Sequence, residues 1–240
     1  MSKRMKKPAT KKMVVRKRNN GGLNAKASTS VAYSGTPFAD RFYTNIKYID
    51  AIQFQGSGIG MNFYQHQIYR ANALSDLDYS NAGRNQQPMG YDTLCGAPNA
   101  NAPYLTYTGY DSVIKVDLIN NSSVPAWVCI WPSKETLTPP TATSAFEQSY
   151  SVYKVVAGNA TTPKTTITHK FNTAKLFGET KTVIGTEDSF SASYNAIPAN
   201  VWYWNIYLVS VDANSSLNMF SRIEMITGCE FSDRNQLAQS

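Results

Sequence analysis

Two histidines, His66 and His169, are all that 240 residues contain. No His-x-His, His-Glu-x-x-His or Gly-x-Ser-x-Gly pattern occurs, and no nucleophile has a base at motif spacing. These absences argue against hydrolase and metalloenzyme chemistry, and no cofactor is expected. The three cysteines, Cys95, Cys129 and Cys229, are far apart and lack metal-ligand spacing; their odd number also opposes a closed disulfide framework. Buried free thiols in a reducing compartment are the expectation. No run approaches the roughly 18 apolar residues of a membrane span, so no membrane insertion is expected. No apolar run of signal length follows the N-terminal charges either, which argues against a secretory signal. Asn120, Asn121, Asn159 and Asn214 head Asn-x-Ser/Thr triplets and are read as polar turn residues, not glycan sites.

Acidic residues are missing from one place in particular. Residues 1–26 contain no Asp or Glu but ten cations: Lys3, Arg4, Lys6, Lys7, Lys11, Lys12, Arg16, Lys17, Arg18 and Lys26. The formal charge of +7 therefore hides a division. The other 214 residues hold 13 basic and 16 acidic side chains, a net of −3. Such a segment has almost no apolar content, and self-repulsion keeps it extended. A solubilising tail and a nuclear-import signal (Lys3-Arg4-Met5-Lys6-Lys7, Arg16-Lys17-Arg18) are two readings of it. A nucleic-acid-binding arm is the favoured third, compatible with import: ten charges displace condensed counterions from a polyanion without reading sequence. Fully extended, 26 residues reach on the order of 86 Å. Asn19-Asn20-Gly21-Gly22 supplies a flexible joint. The expected division is a basic disordered arm and hinge over 1–39 and a folded domain over 40–240, with order beginning near Asp40.

From there the chain reads as all-β. Over 41–55 (RFYTNIKYIDAIQFQ), Phe42, Ile46, Tyr48, Ile52 and Phe54 share one parity, while Asn45, Lys47 and Gln53 take the other. That is the period of a half-buried strand. Gly56-Ser57-Gly58-Ile59-Gly60 reads as a turn: it lacks the Lys-Ser/Thr and the helix start of a phosphate loop. Residues 62–72 form a second strand candidate. The polar stretch 73–103 is expected on the outside, with a short helix near 90–94. In 107–120, Ile114, Val116 and Leu118 alternate with Lys115 and Asp117. Residues 126–131 (AWVCIW) are apolar on both faces, as in a central strand. A short helix is expected over 144–149, with Ser144 as cap and Glu147 three residues on. Strands are then expected over 150–157, 165–173, 200–212 and 217–231. In 200–212, Trp202, Tyr203 and Trp204 must face both ways, so one of these rings meets nucleotides, an adjoining subunit or a covering loop. The acidic pairs Asp76/Asp78 and Glu187/Asp188 would hold Ca²⁺ only if a neighbouring subunit completed the oxygen shell; solvated loop charges are the default. About eight long strands, long excursions and few Asn-Gly or Asp-Gly hairpin signals favour an eight-stranded jelly roll of two packed antiparallel sheets over an up-and-down barrel.

The combination of arm, hinge and body resembles small icosahedral virus capsid proteins. The body is most similar to those of circular Rep-encoding single-stranded DNA viruses, the group containing circoviruses. The resembling segments are 41–54, YRANALSDLDY at 69–79, GYDSVIKVDLINNSS at 109–123, SAFEQSY at 144–150, HKFNTAKLFG at 169–178 and NAIPANVWYWNIYL at 195–208. The arm departs from the Arg-dominated arms of circoviruses, with seven Lys and three Arg. The resemblance implies a structural, non-enzymatic protein that assembles with itself into a shell of 60 copies or a multiple. It also implies packaging of a single-stranded genome, DNA ahead of RNA, and residence in the virion and, during assembly, the host nucleus. Host nuclear import machinery is then a further partner. Sixty arms would carry about 600 charges in a closed symmetric assembly. The alternative is a nuclear single-stranded nucleic-acid-binding jelly roll that forms no shell.

Overall fold

The computed structural model describes residues 39–55, 64–80, 86–139, 141–159, 165–212 and 215–235. Nine strands run in chain order: β1 (Phe42–Gln55), β2 (Tyr64–Arg70), β3 (Tyr104–Asn120), β4 (Ala126–Ser133), β5 (Val152–Val156), β6 (Thr165–Asn172), the three-residue β7 (Ser191–Ser193), β8 (Tyr203–Ser210) and β9 (Asn218–Arg234). Short helices interrupt them: α1 (Tyr91–Leu94), α2 (Ala142–Phe146), α3 (Thr173–Phe177) and α4 (Lys181–Ile184).

Leaving aside β7, the pairing is nested. The first long strand pairs with the last (β1–β9), the second with the seventh (β2–β8), the third with the sixth (β3–β6) and the fourth with the fifth (β4–β5), all antiparallel. A long hairpin rolled up in this way gives two sheets, ordered β1-β9-β3-β6 and β2-β8-β4-β5. That is a jelly roll, as the sequence predicts. Between the sheets lies one core, with Ile114, Val116, Leu118, Ile223 and Met225 from the first sheet meeting Val128, Ile130, Trp204, Ile206 and Leu208 from the second. At one side the two sheets are tied across their edges, where Lys154 Nζ of β5 donates to the Thr166 carbonyl of β6 at 2.7 Å.

Strand β1 follows its expected parity from Ile46 onward: Ile46, Tyr48 and Phe54 are buried and Ile52 half-buried, while Asn45, Lys47 and Gln53 are exposed; Phe42, on the same parity at the strand's start, is exposed. Strand β4 is internal, between β8 and β5. Its outward residues Cys129 and Trp131 are buried under α2, packed with Ala145 and Tyr207. Trp202 and Trp204 both turn inward, and their indole N–H groups donate to Thr173 Oγ1 (3.0 Å) and Ser112 Oγ (2.9 Å). Tyr203 is the ring on the other face, and a covering loop meets it: Tyr79 packs edge-on at 5.4 Å.

Three expectations need correction. Residues 73–103 do not simply lie outside. Ala73, Leu74, Leu77, Tyr91 and Cys95 are fully buried, and Leu74, Tyr91 and Cys95 join Ile46, Tyr107 and Phe231 in a second cluster. The segment is pinned by polar side chains: just before it Asn72 Oδ1 accepts from the Trp202 N–H at 3.0 Å, and within it Ser75 Oγ donates to the Ala196 carbonyl at 2.6 Å. The helix expected over 144–149 lies earlier, at Ala142–Phe146. Thr141 is its extended N-cap, accepting from the Ser144 N–H, while the Ser144 hydroxyl serves the Thr141 N–H. The box is therefore closed by Ser at the third helical position, not Glu. Third, α3 and α4 break the run between β6 and β7, where no helix is expected from the sequence. The turn expected at Gly56–Gly60 lies outside the described residues, as does Asn214.

Candidate nucleic-acid interface

All ten arm cations (Lys3, Arg4, Lys6, Lys7, Lys11, Lys12, Arg16, Lys17, Arg18 and Lys26) lie outside the described residues. What the structure describes is the corner where the arm meets the body. Successive residues are fastened there. The Ala39 carbonyl accepts from Tyr104 Oη at 3.0 Å, and Asp40 pairs with Arg234 at 2.7 Å. Arg41 pairs with Glu230 at 3.1 Å, and Phe42 stacks on Tyr104, with ring planes 8° apart. Four consecutive residues thus fix the direction in which the chain enters β1.

Glu230 is the electrostatic centre of this corner. It is only 3% exposed, so its charge must be partnered. Tyr110 Oη donates to Glu230 Oε2 at 2.6 Å, while Arg41 supplies the opposite charge. The carboxylate in turn raises the guanidinium pKa of Arg41. Burial first, and then the bond to Glu230, raise the phenol pKa of Tyr110. The Tyr43 ring lies 6.2 Å from that of Tyr110, and the residue is exposed. Burial and its interaction with Glu230 raise its pKa as well.

Lys181, at the start of α4, places Nζ 5.2 Å from the Tyr110 ring. Arg41, just before β1, Tyr43 of β1, Tyr110 of β3, Lys181 of α4 and Glu230 of β9 are too far apart in sequence for a motif. One signal was present: Tyr43 is an aromatic on the polar parity of β1.

Elsewhere the chemistry-bearing side chains have structural partners. His66 sits between Asn205 Oδ1 and Thr138 Oγ1, each at 3.0 Å, and stacks on Trp131. A neutral ring that donates from Nε2 and accepts at Nδ1 satisfies both. His169 Nε2 donates to the Tyr150 carbonyl at 2.7 Å. Burial lowers both imidazole pKa values. Cys95, Cys129 and Cys229 are free and buried, and burial pushes each thiol up to about 12.

Of the acidic pairs, Glu187 and Asp188 are exposed, but Asp76 and Asp78 are not the solvated loop charges expected. Asp76 pairs with the buried Arg70 at 2.7 Å, and Asp78, 1% exposed, accepts from Gln67. Among the described residues no group of three His, Cys, Asp or Glu side chains is placed to hold a metal, and no helix is long and apolar enough to cross a membrane. Asn159 serves as a turn residue, while Asn120 is the buried last residue of β3 and organises the turn that follows. The Asn120 side chain bonds Val124 and Ser122, and Asn159 adopts φ 70°.

No family model and no curated protein sequence matches the chain. Among solved structures it is similar to the 60-mer BFDV capsid protein, with a TM-score of 0.43 at 8% identity, covering 85% of this chain and 100% of that one. The decameric BFDV capsid protein gives a TM-score of 0.40 at 7% identity, covering 80% and 99%. A chain from the structure of Desmodium yellow mottle tymovirus gives 0.37 at 11% identity, covering 83% and 93%.

Proposed function

We propose that this chain is a viral coat protein that assembles with copies of itself into a small icosahedral shell and packages a single-stranded genome, DNA in preference to RNA, through its basic arm. The shell has 60 copies or a multiple of 60. The arm and hinge comprise residues 1–39, and the jelly-roll body residues 40–240. Lys3, Arg4, Lys6, Lys7, Lys11, Lys12, Arg16, Lys17, Arg18 and Lys26 neutralise phosphates, and their compact clusters also serve nuclear import ahead of assembly in the host nucleus.

The observation that carries this reading is the charge division: ten cations and no anion in residues 1–26, joined to a body of net −3. Bodies of small net charge approach one another without strong repulsion, whereas the arms repel. A polyanion on the arm side removes that repulsion, which couples packaging to closure of the shell. Ten contacts to a single strand give a log–log salt slope of about −7. The test is removal of residues 1–26, followed by the ratio of absorbance at 260 and 280 nm in purified particles. The ratio falls to that of protein alone if the arm packages the genome; particles that retain a full nucleic-acid load overturn its role.

A further inference from the structure

The corner beside the arm root has a shape and chemistry that the arm does not use up. One cleft, ≈ 290 Å³, is lined by Arg41, Tyr43, Tyr110, Lys181, Thr182 and Thr186, with Gly185. Its lining holds two cations, two phenols and two threonines, and no carboxylate. Glu230 lies beneath, sequestered by Arg41 and Tyr110. A second cleft, ≈ 230 Å³, shares Tyr43, Tyr110 and Lys181 with the first and adds Thr44, Asn45 and Asp111. Tyr43 lines both clefts and is 58% exposed, so it offers aromatic surface to each. Gly185 sets the wall. A Cβ there would meet the Tyr110 hydroxyl at 2.5 Å, so only glycine lets α4 close this tightly on β3.

We propose that this corner binds one nucleotide of a single strand, with its phosphate between Arg41 and Lys181 and its base stacked on Tyr43. The proposal rests on the coat-protein reading above and deepens it. The two clefts differ in a way that orients the ligand. Lys181 lines both clefts, but Arg41 lines the first and Asp111 the second, so a phosphate is held on the Arg41 side and repelled by Asp111 on the other. A neutral base edge finds amide, hydroxyl and carboxylate partners on the Asn45, Thr44 and Asp111 side. The strand must be single, because stacking on a side chain requires an unstacked base. The position favours a polynucleotide over a free anion. Arg41 is two residues past Ala39, where the described chain begins, so a strand followed by the arm reaches this corner where the arm ends. The arm supplies charge without register, and the corner supplies one fixed stacking point at which that strand is held to the body.

The full-length protein is tested with oligothymidylate containing 5-iododeoxyuridine, by photo-crosslinking with peptide mapping and by equilibrium binding at raised salt, where the arm contributes least. Tyr43→Ala and Lys181→Ala alter exposed side chains, and unchanged unfolding midpoints confirm intact folding. The expected results are a crosslink at Tyr43, about tenfold weaker binding for Tyr43→Ala, and a salt slope shallower by about 0.7 for Lys181→Ala. Crosslinks confined to residues 1–26, or unaltered affinity in Tyr43→Ala, overturn this site and leave the arm's role standing. Absence of any nucleic-acid binding overturns both together.

Discussion

At the scale of single residues, reactivity is set by burial. Cys95, Cys129 and Cys229 are at most 2% exposed, and thiols pushed up to about 12 stay protonated at neutral pH. Because the thiolate is the reacting species, Ellman's reagent is expected to label none of the three in the native protein and all three in denaturant. Rapid labelling of any one would contradict the packing. Both histidines have folded-state pKa values below the usual 6.5. The unfolded chain therefore binds protons more readily, and the stability these rings contribute is present above pH 6.5 and lost as pH falls through their folded values. Relative to a His66→Gln/His169→Gln double variant, the parent should lose thermal stability between pH 7 and pH 5; parallel profiles would show that the rings are not desolvated. Trp204 is fully buried and bonded to Ser112, and Trp204→Ala is expected to cost about 3–5 kcal/mol in urea unfolding.

At the scale of elements, what could be read in the sequence was what alternates. Strands β1 and β3 largely bury one parity against the facing sheet, so their side chains carry a period of two and their positions follow; β8, buried on both faces, was marked by its run of aromatic and branched residues instead. The apolar run of β4 marked it as internal because α2 covers its outer face. The segment between β2 and β3 was opaque for a physical reason. Ala71, Ala73, Leu74, Leu77, Tyr91 and Cys95 are buried at irregular spacings, held by side-chain bonds from Asn72 and Ser75 that no periodicity reports. Helices α3 and α4 have five and four residues, too short to show an apolar stripe. Their signals are caps alone: Asn172 and Thr180 at the N-termini, and Gly178 with φ 76° closing α3. The α2 cap was displaced for a related reason, since Ser144 takes the place usually held by Glu or Gln. Thr141→Ala removes the hydroxyl that accepts from the Ser144 N–H and is expected to destabilise the protein by about 1 kcal/mol. An unchanged urea midpoint would mean that α2 is held by Phe146 and Ala145 packing alone. The corner of Arg41, Tyr43, Tyr110, Lys181 and Glu230 was out of reach, because its parts meet only through the β1–β9–β3 pairing and the packing of α4 on β3.

At the scale of the whole molecule, the organising feature is the separation of charge from core. The jelly roll buries its apolar faces between two sheets and carries little net charge, while the cations collect in one N-terminal segment that enters the body at a braced corner. In the function proposed above, a polyanion would engage such a molecule from the arm side, leaving the rest of the surface for contacts between copies. The most direct measurement of this account is the mass of the purified full-length protein in solution, by sedimentation at low ionic strength with single-stranded DNA present. The account predicts megadalton closed particles containing the nucleic acid; a species that stays at 26.6 kDa and ignores the DNA would contradict it.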